Sequence, residues 1–425
     1  MFNYNKNVTF ILYLTVSIST THSYLSLRGF ENVYDYSLPW RFVPQYRDLY
    51  DKETNPNGII SFSTAENIHI PTENFNYTAS SNGGPYFPKL MAAHINKYFS
   101  PHIPVTSDNI ITGNGVTAVQ SMLAFCIGDE GDGVLVSPPS YGRFEIDYKS
   151  TARVKIIYAT LNGVSIFDKL VVERLEDEIK KASDAGIRVK ALLISNPNNP
   201  LGHCYPRETL IALMAFCQRH SIHLISDEVY ALSVFSPTNS TSPPFTSVLS
   251  IDKKNLIDPN LVHALYGMSK DFGSAGLKIG CLITQNESLL KCCKSITRFH
   301  HTSAPSLEIA NGILKRPDFV HKFLALSQKR LNKGYEITVN FLETAGIPYF
   351  KGGNAGFFIF IDLSKYLVIW NTKQEAGSNP EFALAQHLKE HGVFVHPREE
   401  HSEVPGWYRL VFASMSIDDL RVGLD

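Results

Sequence analysis

Between residues 110 and 226 the chain repeatedly places a short apolar run before a polar cluster and then a stretch with helical character. The runs are 110–112, 134–137, 154–159, 189–195 and 222–226. Helical patterns follow at 117–125, 170–185 and 207–220. Short apolar strands alternating with helices require a mostly parallel sheet covered on both faces, an α/β fold. Sheets of this kind bind ligands at the carboxyl ends of their strands. The clusters Gly113–Thr117 (GNGVT), Pro138–Gly142 (PPSYG), Asn196–Gly202 (NPNNPLG) and Asp227–Tyr230 (DEVY) all sit at such ends. A further apolar run, 261–266, leads into Gly267-Met268-Ser269-Lys270.

At 425 residues the chain is too long for one simple core, so two domains or a large domain with a satellite are expected. After the lysine turn come a returning strand at 281–284 and helices at 287–298 and 317–343. Strands at 357–361, 393–396 and 408–413 and a helix at 382–391 describe a smaller α+β part. Upstream, 28–50 reads as an irregular arm, 58–63 as a strand, 83–88 as a loop and 90–98 as a helix. Hydrophobic residues make up 44% and charged residues 19%, which marks a globular chain. A formal charge of −1, with scattered lysines and arginines, offers no bulk attraction to nucleic acid or an anionic membrane. The six cysteines show neither zinc spacing nor a disulfide framework, so a reducing, cytoplasmic setting and no metal site are expected. Residues 8–18 are apolar behind a polar start carrying one lysine, as in a weak secretory signal, and too short to span a bilayer.

The strand-end residues suggest one chemistry when taken together, although each alone has a plainer structural use. A glycine turn at a helix N-terminus presents free N–H groups to a phosphate, here around Val116 and Thr117, with the Thr117 hydroxyl as a further donor. Tyr141 can stack on a planar ring. Asn199 and Tyr230 can donate to a phenolate-like oxygen. Asp227 can keep a ring nitrogen protonated. Lys278 adds positive charge for the phosphate. Lys270, held between an apolar strand and a glycine-bearing turn, can lose water and with it part of its proton affinity. A neutral amine is what aldimine formation needs. The ligand so described is pyridoxal phosphate, an electron sink for a carbanion at a substrate α-carbon.

The segments NPNGII (Asn55 to Ile60), AEN (Ala65 to Asn67), SNPNNPLG (Ser195 to Gly202), SDEVY (Ser226 to Tyr230), YGMSKDFGSAGLKIG (Tyr266 to Gly280) and WYRLVFA (Trp407 to Ala413) occur in this order. On them the chain resembles the class I/II aminotransferases, fold type I pyridoxal-phosphate enzymes. Within that group it is most similar to 1-aminocyclopropane-1-carboxylate (ACC) synthases and the ACC-synthase-like proteins of fungi. The resemblance runs from about Leu25 to the end. It implies a large domain with a mostly parallel seven-stranded sheet at 86–315 and a smaller α+β domain at 316–425. It also implies an arm contributing to the small domain at 25–85, behind an N-terminal extension at 1–24.

By the same resemblance Lys270 carries the aldimine and the α-proton, Arg409 holds the substrate carboxylate, and Glu66 belongs to the substrate site. A homodimer acting on a small amino-acid substrate is implied. An aminotransferase for an α-amino acid or an amino-acid-derived biosynthetic intermediate is the expected activity. A lyase, by C–S β-elimination or ACC-type γ-displacement, is the alternative, and a silent family member is a third. Four departures stand out. Lys278 replaces the usual phosphate arginine and loses its fork, Gly267 replaces a phosphate-binding serine, and Ser81 stands where ACC synthases carry a tyrosine. Asp425 falls just inside the family's last helix.

Overall fold

A computed structural model describes residues 24–36, 53–57, 82–238, 240–371, 379–395 and 402–424. The apolar segment 8–18, the strand expected at 58–63, Glu66 and Ser81 lie outside them.

Seven strands form the main sheet: β1 (Ile110–Asn114), β2 (Gly133–Val136), β3 (Lys155–Tyr158), β4 (Val189–Ser195), β5 (His223–Asp227), β6 (Val262–Gly267) and β7 (Ile279–Thr284). Their order is β1-β7-β6-β5-β4-β2-β3. Only β7 runs against its neighbours, pairing antiparallel with both β1 and β6. A strand alternates its side chains between two faces, and here each face meets its own core. Leu193, Ile225, Leu265 and Leu282 join one apolar cluster. Their neighbours Leu192, Leu224, Tyr266 and Ile283 join the other.

The helices are α1 (Leu27–Tyr36), α2 (Phe87–Tyr98), α3 (Val116–Ile127), α4 (Phe144–Ala152), α5 (Val171–Asp184), α6 (Arg207–His220), α7 (Glu287–Ile296), α8 (Ala304–Leu314), α9 (Pro317–Thr344), α10 (Ser364–Asn371), α11 (Pro380–Glu390) and α12 (Ile417–Leu424). Helices α3, α4 and α7 cover the first face through Leu123, Phe144, Tyr148 and Leu289. Helices α2, α6 and α8 cover the second through Met91, Leu213 and Leu307. Among the described residues no helix is long and apolar enough to cross a membrane.

A separate antiparallel pair, β8 (Phe358–Asp362) and β9 (Trp407–Val411), sets Phe360 opposite Arg409. It packs with α9, α11 and α12 through Leu331, Ile359, Leu384, Tyr408 and Leu420. Backbone bonds dock this unit on the carboxyl edge of the main sheet. The Asn354 and Ala355 N–H groups donate to Gly202 O at 2.8 and 2.9 Å, and the Gly356 N–H donates to Ser233 O at 2.9 Å.

Three local expectations change. The first part of the stretch read as irregular, 28–36, lies in α1 (Leu27–Tyr36), whose start is fixed by the Gly29 N–H donating to Ser26 Oγ at 2.9 Å. The strand expected at 393–396 is absent over its described part, 393–395, where Val393 and Phe394 are exposed and only Val395 is buried, so no alternating apolar face is packed. Helix α4 was not expected, although Phe144, Tyr148 and Ala152 are spaced by four and all buried.

The tightest contact in the sheet edge joins glycines. A Cβ placed on Gly280 would lie 2.4 Å from both Gly115 C and Val116 N, which are backbone atoms that cannot rotate away. Gly280→Ala is therefore expected to cost about 1–3 kcal/mol, seen in urea unfolding. Gly276→Ala, with nothing within 4 Å of its Cβ, is the control and is expected to stay within about 0.5 kcal/mol.

Candidate active site

The carboxyl ends of β1, β4, β5 and β6 open into one cleft of about 470 Å³. Val116, Thr117, Tyr141, Asn199, Asp227, Tyr230, Lys270, Lys278 and Arg409 all line it. Glu66, expected in the substrate site, and Ser81 lie outside the described chain.

One end of the cleft is built for an anion. Gly115 adopts φ 85°, a left-handed conformation suited to glycine, and turns the chain from β1 into α3. Among the described residues no side chain caps that helix, so its first N–H groups are available to a ligand. The exposed Thr117 hydroxyl and the Lys278 side chain stand beside them in the cleft wall. Gly267 has a steric reason. A Cβ there would meet Ile279 O at 2.5 Å and Val116 Cγ2 at 3.3 Å, so the strand beside it leaves no room for a serine.

The floor holds Asp227, buried at the last position of β5. Its Oδ2 accepts from Gln120 Nε2 at 3.0 Å and its Oδ1 accepts from the Val229 N–H at 3.3 Å. Burial pushes its carboxyl up to about 7, and the nearby Asp147 adds to the rise. The Val229 N–H, Lys270 and Gln120 oppose it. Asp147 also lines the cleft and is itself pushed by burial to about 7. A buried carboxylate with so little compensation is arranged for a cation that arrives with a ligand.

Lys270 lies three residues beyond the end of β6, with Nζ 5.5 Å from the centre of the Tyr230 ring. Burial lowers its pKa most, Arg409 and Lys278 add to the fall, and Asp227 opposes it. Tyr230 is buried and stands edge-on to Phe357 and Phe358, each at 5.3 Å. Its phenol is pushed well up by burial, so it stays a hydrogen-bond donor. Arg409, on β9, donates through Nη1 to Asn199 Oδ1 at 2.9 Å. Asn199 is held in turn by its N–H, which donates to Ser195 Oγ at 3.1 Å. Tyr141 meets Phe144 edge-on at 5.3 Å at the cleft wall.

Gln120 and Asp147 were not singled out in the sequence. Gln120 follows Thr117 by three positions on α3, which puts the two on one helix face. That spacing was the available signal. Asp147 carried none until α4 was known.

The aminotransferase class I and II family profile matches residues 54–425. ACC synthase 1 of Cucurbita pepo is 31% identical over 403 residues, covering 89% of this chain and 79% of its own. A mouse protein described as a probable inactive ACC synthase-like protein 2 is 30% identical over 424 residues, covering 94% of this chain and 71% of its own. Among solved structures, a double mutant of Thermus thermophilus aspartate aminotransferase superposes with a TM-score of 0.68 at 22% identity, covering 83% of each chain. That likeness concerns the fold.

The Asp227 carboxyl makes a pH-dependent stability prediction. The folded chain holds its proton up to about 7, while an unfolded aspartate releases it near 3.8. The burial cost therefore grows as pH rises between those values and is constant above them. In ligand-free protein, Asp227→Asn removes that cost. Gln120 can rotate its amide, whose Oε1 lacks a partner, to accept from the new Nδ2. The variant is expected to melt above the wild type, by a margin that widens from pH 4 to pH 7 and then levels off, as thermal scans across pH would show.

Proposed function

Because the chain belongs to the class I and II aminotransferase family, we propose that it is an aminotransferase acting on an α-amino acid or an amino-acid-derived biosynthetic intermediate, with Lys270 as its working amine. Enzymes of this family and the ACC synthases use pyridoxal phosphate. The residues present fit that group. The buried Asp227 lacks a full cationic partner, and the uncapped start of α3 offers N–H donors. When bound, the cofactor supplies an aldehyde carbon and a cationic ring that draws electrons from the substrate α-carbon.

In this reading Asp227 holds the ring nitrogen's proton in place, with Gln120 fixing the orientation of the carboxylate. Asn199 and Tyr230 donate to the ring oxygen, and Tyr141 stacks on the ring face. Val116 N–H, Thr117 and Lys278 take the phosphate. Arg409 receives the substrate carboxylate as a charge-assisted pair, which orients the Cα–H bond towards Lys270. Lys270 then takes the α-proton on Nζ and returns it to a neighbouring carbon. The observation that carries this reading is the half-buried Lys270, whose proton affinity burial lowers most, in one cleft with Asp227 and Arg409. A homodimer, typical of the family, belongs to the same reading. So does a cytoplasmic setting, supported by six cysteines that are all free and buried.

The similarity to ACC synthase 1 of Cucurbita pepo favours a second reading, a lyase on the same cleft. Amino-acid screening of the loaded enzyme separates the two. Conversion of the cofactor to its amine form by an amino acid, reversed by a keto acid, supports transamination. Ammonia with a keto acid, a free thiol or a cyclic amino acid supports the lyase. A purified protein without absorbance from bound cofactor sinks both. Lys270→Ala is expected to lower turnover by about 10²–10⁴-fold while leaving the fold intact by circular dichroism. Turnover unchanged in that variant contradicts the role given to Lys270.

A further inference from the structure

The residue after the lysine is also a buried acid, and it makes no contact with the cleft. Asp271 is 2% exposed and its carboxylate accepts three hydrogen bonds. Oδ2 accepts from the Leu232 N–H at 2.9 Å and from the Tyr266 hydroxyl at 3.0 Å. Oδ1 accepts from the Ser233 hydroxyl at 2.6 Å. Tyr266 lies on β6, and its hydroxyl also meets His94 Nε2 at 3.3 Å.

The position of these partners matters more than their number. Leu232 and Ser233 close the turn that begins at Asp227. Within it, the Ala231 N–H donates to Glu228 O and the Ser233 N–H to Tyr230 O, both at 3.0 Å. Asp271 therefore ties the turn carrying Asp227 and Tyr230 to the turn carrying Lys270. The tie extends to the other walls. Ser233 O accepts from the Gly356 N–H at 2.9 Å, immediately before Phe357 and Phe358. Leu232 O accepts from Gln328 Nε2, on α9, at 2.9 Å.

A charged acceptor suits this place. Three donors converge on it, and hydrogen bonds to a carboxylate are stronger and shorter than those to a neutral oxygen. Burial works against the charge and pushes the carboxyl up to about 7, while the bonds from Ser233, Leu232 and Tyr266 pull it down. The chain thus keeps an expensive buried acid beside its reactive amine, where a neutral turn residue would pack at less cost.

We infer that Asp271 is a positioning residue that sets the Lys270 amine against Tyr230 by clamping the 228–233 turn to the 268–274 turn. This rests on Lys270 being the working amine. The acid itself touches neither substrate nor cofactor. Misplacing a reacting group by about 1 Å can cost two orders of magnitude in rate, so a clamp of this kind acts on kcat.

The test uses the cofactor-loaded enzyme and three variants: Asp271→Asn, Ser233→Ala and the double substitution. Asparagine keeps the shape and one acceptor oxygen, and its Nδ2 can donate to the Tyr266 hydroxyl. Melting temperature, kcat, KM and the visible circular dichroism of the bound cofactor are measured for each. Asp271→Asn is expected to lower kcat about tenfold or more, to change KM less than about threefold, and to weaken the dichroism per bound cofactor. Ser233→Ala is expected to change both in the same direction. The double variant is expected to be no worse than Asp271→Asn alone, since both cut one tie. A folded Asp271→Asn enzyme with a lower melting temperature but wild-type kcat and dichroism overturns the inference. So do effects of the two single changes that multiply in the double. Failure of the lysine assignment itself shows separately, as wild-type turnover in Lys270→Ala.

Discussion

The site hangs on a place where two backbones touch with no side chain between them. Gly280 on β7 lies against the Gly115–Val116 peptide, and Gly267 on β6 lies against the backbone of β7. This contact fixes where α3 begins. The start of α3 fixes the free N–H groups, and one turn later Gln120, which reaches the Asp227 carboxylate. A single steric requirement thereby aligns the anion-binding end of the cleft with its acidic floor. The two ends are coupled because the helix that starts at the anion site also carries Gln120, which holds the Asp227 carboxylate at the end of β5.

Electrostatically the cleft is a compromise. Asp147 and Asp227 are both pushed up to about 7 by burial, and Glu228 behind them is raised in the same way. Glu228 is satisfied by Ser226, Ser247 and the Val248 N–H. Among the described residues, Asp227 has only neutral donors on its two oxygens. The two neighbours along the chain therefore do different things. One is sealed into the fold and the other keeps its negative potential directed into the cleft.

The strand-end logic made most of this legible in the sequence. Parallel strands end on one edge, so clusters far apart in the chain meet there, and Thr117, Asn199, Asp227 and Lys270 do line one cleft. Pairings between elements were not legible. Gln120 and Asp227 are 107 positions apart, and Asn199 and Arg409 are 210 apart, with nothing local to say which residue each would meet. Gly267 was legible only as a missing serine. Its reason is a carbonyl on the next strand, Ile279 O, which appears only with the register of β6 against β7. Helix α4 escaped because a charged residue, Asp147, shares its buried face while the apolar Ile146 is exposed, which blurs the apolar stripe.

The bond from Arg409 to Asn199 holds one corner of the guanidinium before any ligand arrives. It uses one of the two N–H groups on Nη1, at 2.9 Å, so a second acceptor can reach the same nitrogen with the amide oxygen still in place. An ester or amide ligand offers the guanidinium only another neutral acceptor, no stronger than the amide oxygen it already holds. A carboxylate offers charge, and a charge-assisted bond is roughly twice as strong as a neutral one. Because Asn199 already orients the guanidinium, less ordering is left to the binding step, and the difference in bond strength between a carboxylate and a neutral acceptor can pass directly into selectivity.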